Sequence, residues 1–397
     1  VATLVKILLV TTIYPPDIGG PATYAWDVSR RMRARGHQVE IVSASVNAED
    51  PDVFHPPKWF RGVRFLRGAC NIAFLFWLLL RIGRRNDVFY VQSPGHVGLL
   101  VVWAARMLRK PVVLRFPGDV AWERTYARGA TTKELHDFLR APEGGWRTSM
   151  LLRIQRAVTA RVDRVVTPSE SVRHTLIDAY GVDATRIHAI YHSLDVEEYV
   201  AAAAATAIRE DGGGPLVLSV GRLVPHKRIG DLIAAMPSVA AVFPAARLLI
   251  VGAGTERAAL EAAAENLGIA NRVRFLASVP RRRVLELMAE ADLLVLPSLT
   301  ETLSHVAIEA IAIGAPVVAT AIPGLSEVLE HERTALLVPP CDPAALAAAI
   351  IRMAEDAELR ERLVRNGRAA AREKFSWPAN LAALEDVLLT AITARSA

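Results

Sequence analysis

Cysteine is nearly absent: 397 residues hold two, Cys70 and Cys341, far apart in the chain. That spacing fits neither a disulfide framework nor a zinc site, and a reducing compartment is the expectation. No apolar run reaches the roughly 18–20 residues of a membrane-spanning helix. The opening stretch is apolar but is cut by Lys6 and then by Pro15 and Pro16, without a cleavage signature. A first β-strand is expected there, and not a signal peptide. Charged residues are also sparse, 22% against 52% hydrophobic, which excludes a disordered chain and supplies a large core. A chain of this length is expected to form two domains of about 150–200 residues each.

The charge that is present is uneven. The net value is +6, and residues 1–200 carry all of the positive excess. Between Phe54 and Arg115 stand eleven basic residues, opposed by Asp87 alone. They flank the apolar run Ile72 to Leu80, which is followed by Arg81, Arg84 and Arg85. The run is too short to span a bilayer. Two readings stand: a helix lying in an anionic membrane surface with its arginines on phosphates, or a helix buried against a sheet with its charged ends in water. Phe74, Trp77 and Arg81 are the residues that decide between them. No nucleic acid partner is expected, because no binding module accompanies the charge.

Strand-like and helical runs alternate. Strands are predicted at Val5–Thr11, Gln38–Ala44, Asp87–Gln92, Pro111–Arg115 and Arg164–Thr167, with a helix over Ala22–Arg35. Alanine and glycine runs at Ala201–Ala205 and Gly212–Gly214 suit a linker. The alternation resumes with strands at Leu216–Val220, Arg247–Val251, Val273–Leu276, Leu293–Pro297, Pro316–Thr320 and Ala335–Val338. Helices are predicted at Ile229–Val239, Glu256–Leu267 and Arg282–Glu290. Such alternation implies parallel sheets covered by helices, that is, an α/β fold of two doubly wound, Rossmann-like domains facing a cleft. The expected bounds are 1–205, 206–376, and a final helix within 377–397 that returns to the first domain.

Several segments carry chemistry. Gly19 and Gly20 precede a helix, where backbone can approach a ligand closely and free N–H groups favour phosphate; a plain turn explains them as well. Gly221 and Arg222 end a strand, and Lys227 follows. Two cations there suit a diphosphate, with Arg222 as a planar fork and Lys227 as a point charge; alone, they read equally as surface cations. Glu301 lies in a loop after a strand, and Glu309 sits eight residues on within an uncharged helix. Their carboxylates suit hydroxyl-rich ligands, and a charge among Ile308 and Ala310 is costly unless paired. Arg281–Arg283 reads as a solvated helix start, and Trp77 and Trp103 as packing or interfacial anchors.

Together these segments resemble the retaining glycosyltransferases of family 4, which have the GT-B fold. The resemblance rests on Gly19-Gly20, Gly221-Arg222 with Lys227, Glu301 with Glu309 before Ala310 to Val318, and Phe375-Ser-Trp377. It implies transfer of a sugar from a nucleotide sugar to a glycan or lipid-linked acceptor in envelope polysaccharide or glycolipid synthesis. The expected location is cytoplasmic, peripheral on the membrane face. It implies Arg222 and Lys227 on the diphosphate, Glu309 on the ribose, and Glu301 on the donor sugar. Backbone donors near Gly20, Leu303 and Ser304 would meet phosphate, Gly252 would lie near the nucleobase, and no metal or cofactor is expected. Two places depart from the pattern. Thr302-Leu303-Ser304 stands where many members have Gly-Phe-Gly. The segment Leu114 to Glu123 lacks the usual histidine, leaving Asp119 as the catalytic candidate there, with Trp122 as an acceptor-lining candidate beside it. Rival readings are a nucleotide-sugar epimerase, a non-catalytic nucleotide-sugar binder, and a dinucleotide oxidoreductase built on Gly252-Ala-Gly254. The last lacks the third glycine and a ribose-binding acid.

Overall fold

A computed structural model describes residues 4–17, 20–45, 50, 52–57, 67–205 and 213–396. Among the described residues thirteen strands form two sheets, every pairing parallel. The first sheet comprises β1 (Lys6–Thr11), β2 (Gln38–Ser43), β3 (Val53–Phe54), β4 (Val88–Val91), β5 (Val112–Arg115), β6 (Arg164–Thr167) and β7 (Ile187–Ala189). Their order is β3-β2-β1-β4-β5-β6-β7. The second comprises β8 (Leu216–Val220), β9 (Arg247–Val251), β10 (Val273–Leu276), β11 (Leu293–Leu296), β12 (Val317–Thr320) and β13 (Leu336–Val338). Its order is β10-β9-β8-β11-β12-β13. In each sheet the first strand lies third in order and the order reverses beside it, between β1 and β4 and between β8 and β11. Open α/β sheets take ligands at the carboxyl ends of such paired strands.

The central strands are buried on both faces, which is why they read as unbroken apolar runs and not as alternation. β4, β5, β11 and β12 are buried at every position. In the second unit one core lies under helix His305–Ile313, and a second core, on helices Ile229–Val242 and Pro343–Glu355, includes Val217, Val295 and Val318.

The chain divides into two compact units: Val1–Ile190 with Leu381–Ala397, and Tyr191–Asn380. The boundary expected after residue 205 therefore falls earlier, and the one expected at 377 falls later. The reason is packing. Leu194, Val196 and Tyr199 are buried in the core under helix His305–Ile313. The alanine run expected as linker is the end of helix Val196–Ala205, in keeping with alanine's high helix propensity. The two crossings are tied together inside the second unit. Leu194 N–H donates to the Phe375 carbonyl at 2.9 Å, Asn380 Nδ2 donates to Ser193 Oγ at 2.8 Å, and Tyr191 meets the fully buried Phe375 edge-on. The last helix, Trp377–Ser396, carries Glu385, which takes both Arg35 nitrogens at 2.7 Å within the first unit.

Candidate active site

The second unit gathers most of the singled-out residues at the carboxyl ends of β8 and β11. Gly221, Lys227, Ser298, Glu301 and Ser304 line a shallow recess together with the ends of those two strands. The loop after β8 lies backbone to backbone on the loop after β9. Gly221 N–H donates to Val251, Leu223 N–H to Ala253, and Glu256 N–H back to Leu223, each at 3.0 Å. Glycine is required for that stacking. Gly252 has φ +150°, and a Cβ there would fall on the Gly221 carbonyl; at Gly254 it would fall on the Leu223 carbonyl. The two glycines are thus occupied by protein backbone, which disposes of the dinucleotide-fingerprint reading. They also place the nucleobase expectation for Gly252 one step back, as shaping the loop that carries Arg222.

Charge in the recess is partly committed. Lys227 Nζ pairs with Glu301 Oε1, which also accepts from Ser298 Oγ at 3.0 Å. Both partners are mostly buried, at 19% and 13% side-chain exposure, so the pair is shielded from screening. Arg222 is exposed and, among the described residues, its side chain makes no hydrogen bond or ion pair. Ser304 caps helix His305–Ile313, its Oγ accepting from Ala307 N–H at 3.3 Å. The N–H groups of Leu303 and Ser304 have no acceptor among the described residues, although the Leu303 side chain is buried. A free guanidinium, an ammonium on a displaceable carboxylate, and a helix start with free donors form a site for a polyanion.

Glu309 lies deeper on the same helix. Its Oε1 takes Arg281 Nε at 3.0 Å and Tyr199 Oη at 3.1 Å, while Arg281 also bonds the Tyr199 hydroxyl. Burial raises the Glu309 carboxyl above its ordinary value, and Arg281 only partly opposes this. Arg281 is a solvated helix start as expected, its side chain 55% exposed, and it also holds Glu309; Arg282 and Arg283 pair within their own helix, on Glu286 and Glu290.

In the first unit, Gly19 lies outside the described residues. Gly20 opens helix Gly20–Ala34, with open space where a Cβ would stand. The catalytic expectation for Asp119 is overturned by its bonding. Its Oδ1 caps helix Val120–Ala127 by accepting from Trp122 N–H at 2.7 Å, and its Oδ2 accepts from the Tyr180 hydroxyl. Gln155 completes the network, bonding Tyr180 Oη at 2.8 Å and Val120 N–H at 3.0 Å. Burial and the Asp119 charge push the Tyr180 phenol far up. Trp122 is likewise interior, with its indole N–H on the Lys133 carbonyl at 3.0 Å. It is no acceptor wall.

Asp119→Ala should therefore act on the fold: a lost cap costs about 1 kcal/mol and an orphaned buried hydroxyl about 1–3 more. Chemical denaturation should show that loss, with turnover at a permissive temperature within about threefold of wild type; a catalytic carboxylate would cost about 10²-fold or more.

The apolar helix buries one face and exposes another. Within Arg67–Gly83, Leu75, Leu78, Leu79 and Ile82 are core, while Ile72 and Trp77 are exposed. Phe74 lies half-buried with its ring 5.4 Å from Trp77, and Arg81 sits over the Trp77 ring at 5.1 Å. The neighbouring helix His96–Leu108 exposes Trp103 and Met107. No helix among the described residues is long and apolar enough to cross a membrane.

Comparison with known proteins agrees with the geometry. Residues 203–370 match the profile described as glycosyl transferases group 1, and residues 18–198 match glycosyltransferase family 4. A D-inositol 3-phosphate glycosyltransferase of Salinispora tropica is 33% identical, over 94% of this chain and 81% of its own length. The chain belongs to the family 4 glycosyltransferases. A glycogen synthase of Mycobacterium tuberculosis is 29% identical over 97% of this chain and 95% of its own. In structure, an Anabaena protein, HepE, solved with UDP, superposes with TM-score 0.74 at 21% identity, covering 97% of this chain and all of that one. These GT-B neighbours match the two parallel sheets described above.

Sequence reasoning missed four contributors to this glycosyltransferase site. Tyr199 and Arg281 reach Glu309 from 110 and 28 residues away, respectively, and no local pattern signals such partners. Ser298, three residues before Glu301, bonds its carboxylate. Gly324 packs under Glu301, where a Cβ would strike the Glu301 carbonyl.

His226 adds a pH signature. Burial first, then Lys227 and Arg222, lower its pKa from 6.5 to about 4. The unfolded chain binds this proton at higher pH than the folded one, so stability falls as pH drops from 6.5 toward 4. Discounted for partial exposure, the loss is about 2 kcal/mol. Urea midpoints across that window should slope in wild type and lose part of the slope in His226→Asn.

Proposed function

We propose that this glycosyltransferase moves a sugar from a nucleoside-diphosphate sugar to a glycan or lipid-linked acceptor, with retained anomeric configuration and without a metal. The observation that carries the reading is the recess at the ends of β8 and β11, lined by Gly221, Lys227, Glu301 and Ser304, with exposed Arg222 next to Gly221 in sequence and free N–H groups on Leu303 and Ser304 at the helix start. The solved neighbour HepE was captured with UDP and with UDP-glucose.

Glycosyl transfer develops positive charge at the anomeric carbon and negative charge on the leaving diphosphate. Cations and N–H dipoles fixed beforehand around the diphosphate stabilise that charge without reorganisation. The bond from C1 to the diphosphate oxygen breaks, the acceptor oxygen bonds C1 on the same face, and its proton passes to the departing diphosphate. Once donor phosphate draws Lys227 toward itself, Glu301 is released to accept from sugar hydroxyls. Glu309, held by Arg281 and Tyr199, accepts from the ribose.

Thermal unfolding with UDP, GDP, ADP and their sugar conjugates, with and without chelator, tests the reading. A nucleotide at a hundred times its Kd adds about 2.7 kcal/mol of stability. A shift with one base that survives chelator agrees with metal-free binding. No shift with any nucleotide rejects the donor assignment.

The acceptor side is proposed to meet an anionic membrane, in envelope polysaccharide or glycolipid synthesis. Exposed Ile72, Trp77, Trp103 and Met107 stand on helices whose ends carry Arg81, Arg84, Arg85, Arg106 and Arg109. Trp77→Ala with Arg81→Glu should weaken co-sedimentation with phosphatidylglycerol vesicles at least tenfold; unchanged sedimentation removes this part of the proposal.

A further inference from the structure

A buried polar cluster in the first unit is left unused by the chemistry above. Tyr90 of β4, Gln92 just after it, and Arg115 at the end of β5 share one face of the sheet. Side chains alternate along a strand, and the pairing of Val91 with Leu114 sets Gln92 level with Arg115. Helix Gly20–Ala34 covers this face. Its Tyr24 meets Tyr90 hydroxyl to hydroxyl at 3.0 Å, and the Arg115 guanidinium carbon lies 3.3 Å from the centre of the Tyr24 ring. The aromatic face thus fixes the fork from one side.

The cluster is satisfied only in part, with Arg115 bonded to the Tyr90 hydroxyl. Arg115 is 8% exposed and Gln92 4%. Yet Arg115 Nη1 and both Gln92 amide atoms, Nε2 and Oε1, have no hydrogen-bond partner among the described residues. No carboxylate among the described residues pairs with Arg115. More than nine in ten buried polar groups in proteins find partners. A buried amide or guanidinium N–H left unpaired is costly. Three such atoms on adjacent strands, beside the reversal between β1 and β4, lie where this sheet type receives ligands.

We propose that Arg115 and Gln92 form an oxyanion subsite that holds a phosphate or carboxylate group of the acceptor. Arg115 Nη1 and Gln92 Nε2 donate to the oxyanion, and Gln92 Oε1 accepts from an adjacent ligand hydroxyl. Naming the ligand an acceptor rests on the glycosyl-transfer reading; the anion site itself does not.

The test uses the full chain saturated with UDP, so that the cations of the second unit are occupied, and titrates inorganic phosphate and, separately, glucuronate by calorimetry. At least one should bind, and which one distinguishes a phosphorylated acceptor from an acidic sugar. Arg115→Gln should weaken that binding at least tenfold and leave UDP affinity within twofold. Gln92→Leu guards against a folding artefact, since it removes the amide at similar volume. It should raise the melting temperature of the ligand-free chain and also weaken the anion at least tenfold. The proposal is overturned if neither anion binds, or if both variants bind it as the wild type does. Should UDP itself fail to bind, the transfer reading falls, and the same titrations on the nucleotide-free chain still decide the subsite.

Discussion

Arg222→Ala should lower kcat/KM about 10²–10³-fold, the range seen when one preorganised donor to a developing anion is removed, and should leave thermal stability unchanged. The two halves of that expectation have separate grounds. Arg222 is exposed and its side chain makes no hydrogen bond or ion pair among the described residues, so the resting fold loses nothing with the guanidinium. In the proposed transition state it faces the leaving diphosphate, where a planar fork binds two oxygens at once. Lys227→Ala should match it in rate but differ in stability, because it leaves Glu301, 13% exposed, without its cation. The double variant Lys227→Ala, Glu301→Ala should recover much of the lost stability and none of the rate. Steady-state kinetics beside calorimetry separates these outcomes. A drop below tenfold in both single variants would remove the diphosphate role.

Gly252→Ala should be the most destabilising single-methyl change at the site. At φ +150° an L side chain is strained, and its Cβ would fall on the Gly221 carbonyl oxygen. Strain of about 1–3 kcal/mol and overpacking of about 1–3 kcal/mol act together. The loop from Gly221 to Leu223 must then move, so donor affinity should fall with stability. Gly221→Ala is the matched control, because a Cβ there meets nothing within 4 Å. It should unfold like wild type, and any loss of nucleotide binding would report close approach of ligand to that backbone. Equal melting temperatures for Gly252→Ala and wild type would refute the stacking argument.

The fold was legible because its strands are buried on both faces. β6, β8, β9 and β10 fall within the bounds their apolar runs predict. The ends of β11 and β12 lie inside the prediction, since Pro297 and Pro316 have no N–H for a ladder. β3 and β7 were not visible: at two and three residues they are too short to carry a period. The domain boundary was misplaced because alanine runs look alike in a linker and in a helix, and only the burial of Val196 and Tyr199 tells them apart.

Site residues divide in the same way. Those that share one local motif, Gly221 with Lys227 and Glu301 with Ser304, were found from sequence and do line one recess. Asp119 was misjudged, because a carboxylate before a helix serves as cap or catalyst depending on what stands opposite. Here Tyr180 stands opposite, 61 residues on.

The sequence by itself determined the sheets, their helical cover and the family, because apolar runs, turn residues and motif order act over a few residues at a time. Only the tertiary structure decided which charges are spent and which are free. It paired Lys227 with Glu301, brought Arg281 and Tyr199 to Glu309, and left Arg115 Nη1 and the Gln92 amide without hydrogen-bond partners among the described residues. Those outcomes depend on strand register and on crossovers that join residues up to 110 positions apart, and the free energy of a buried charge is set by such neighbours and not by its own side chain.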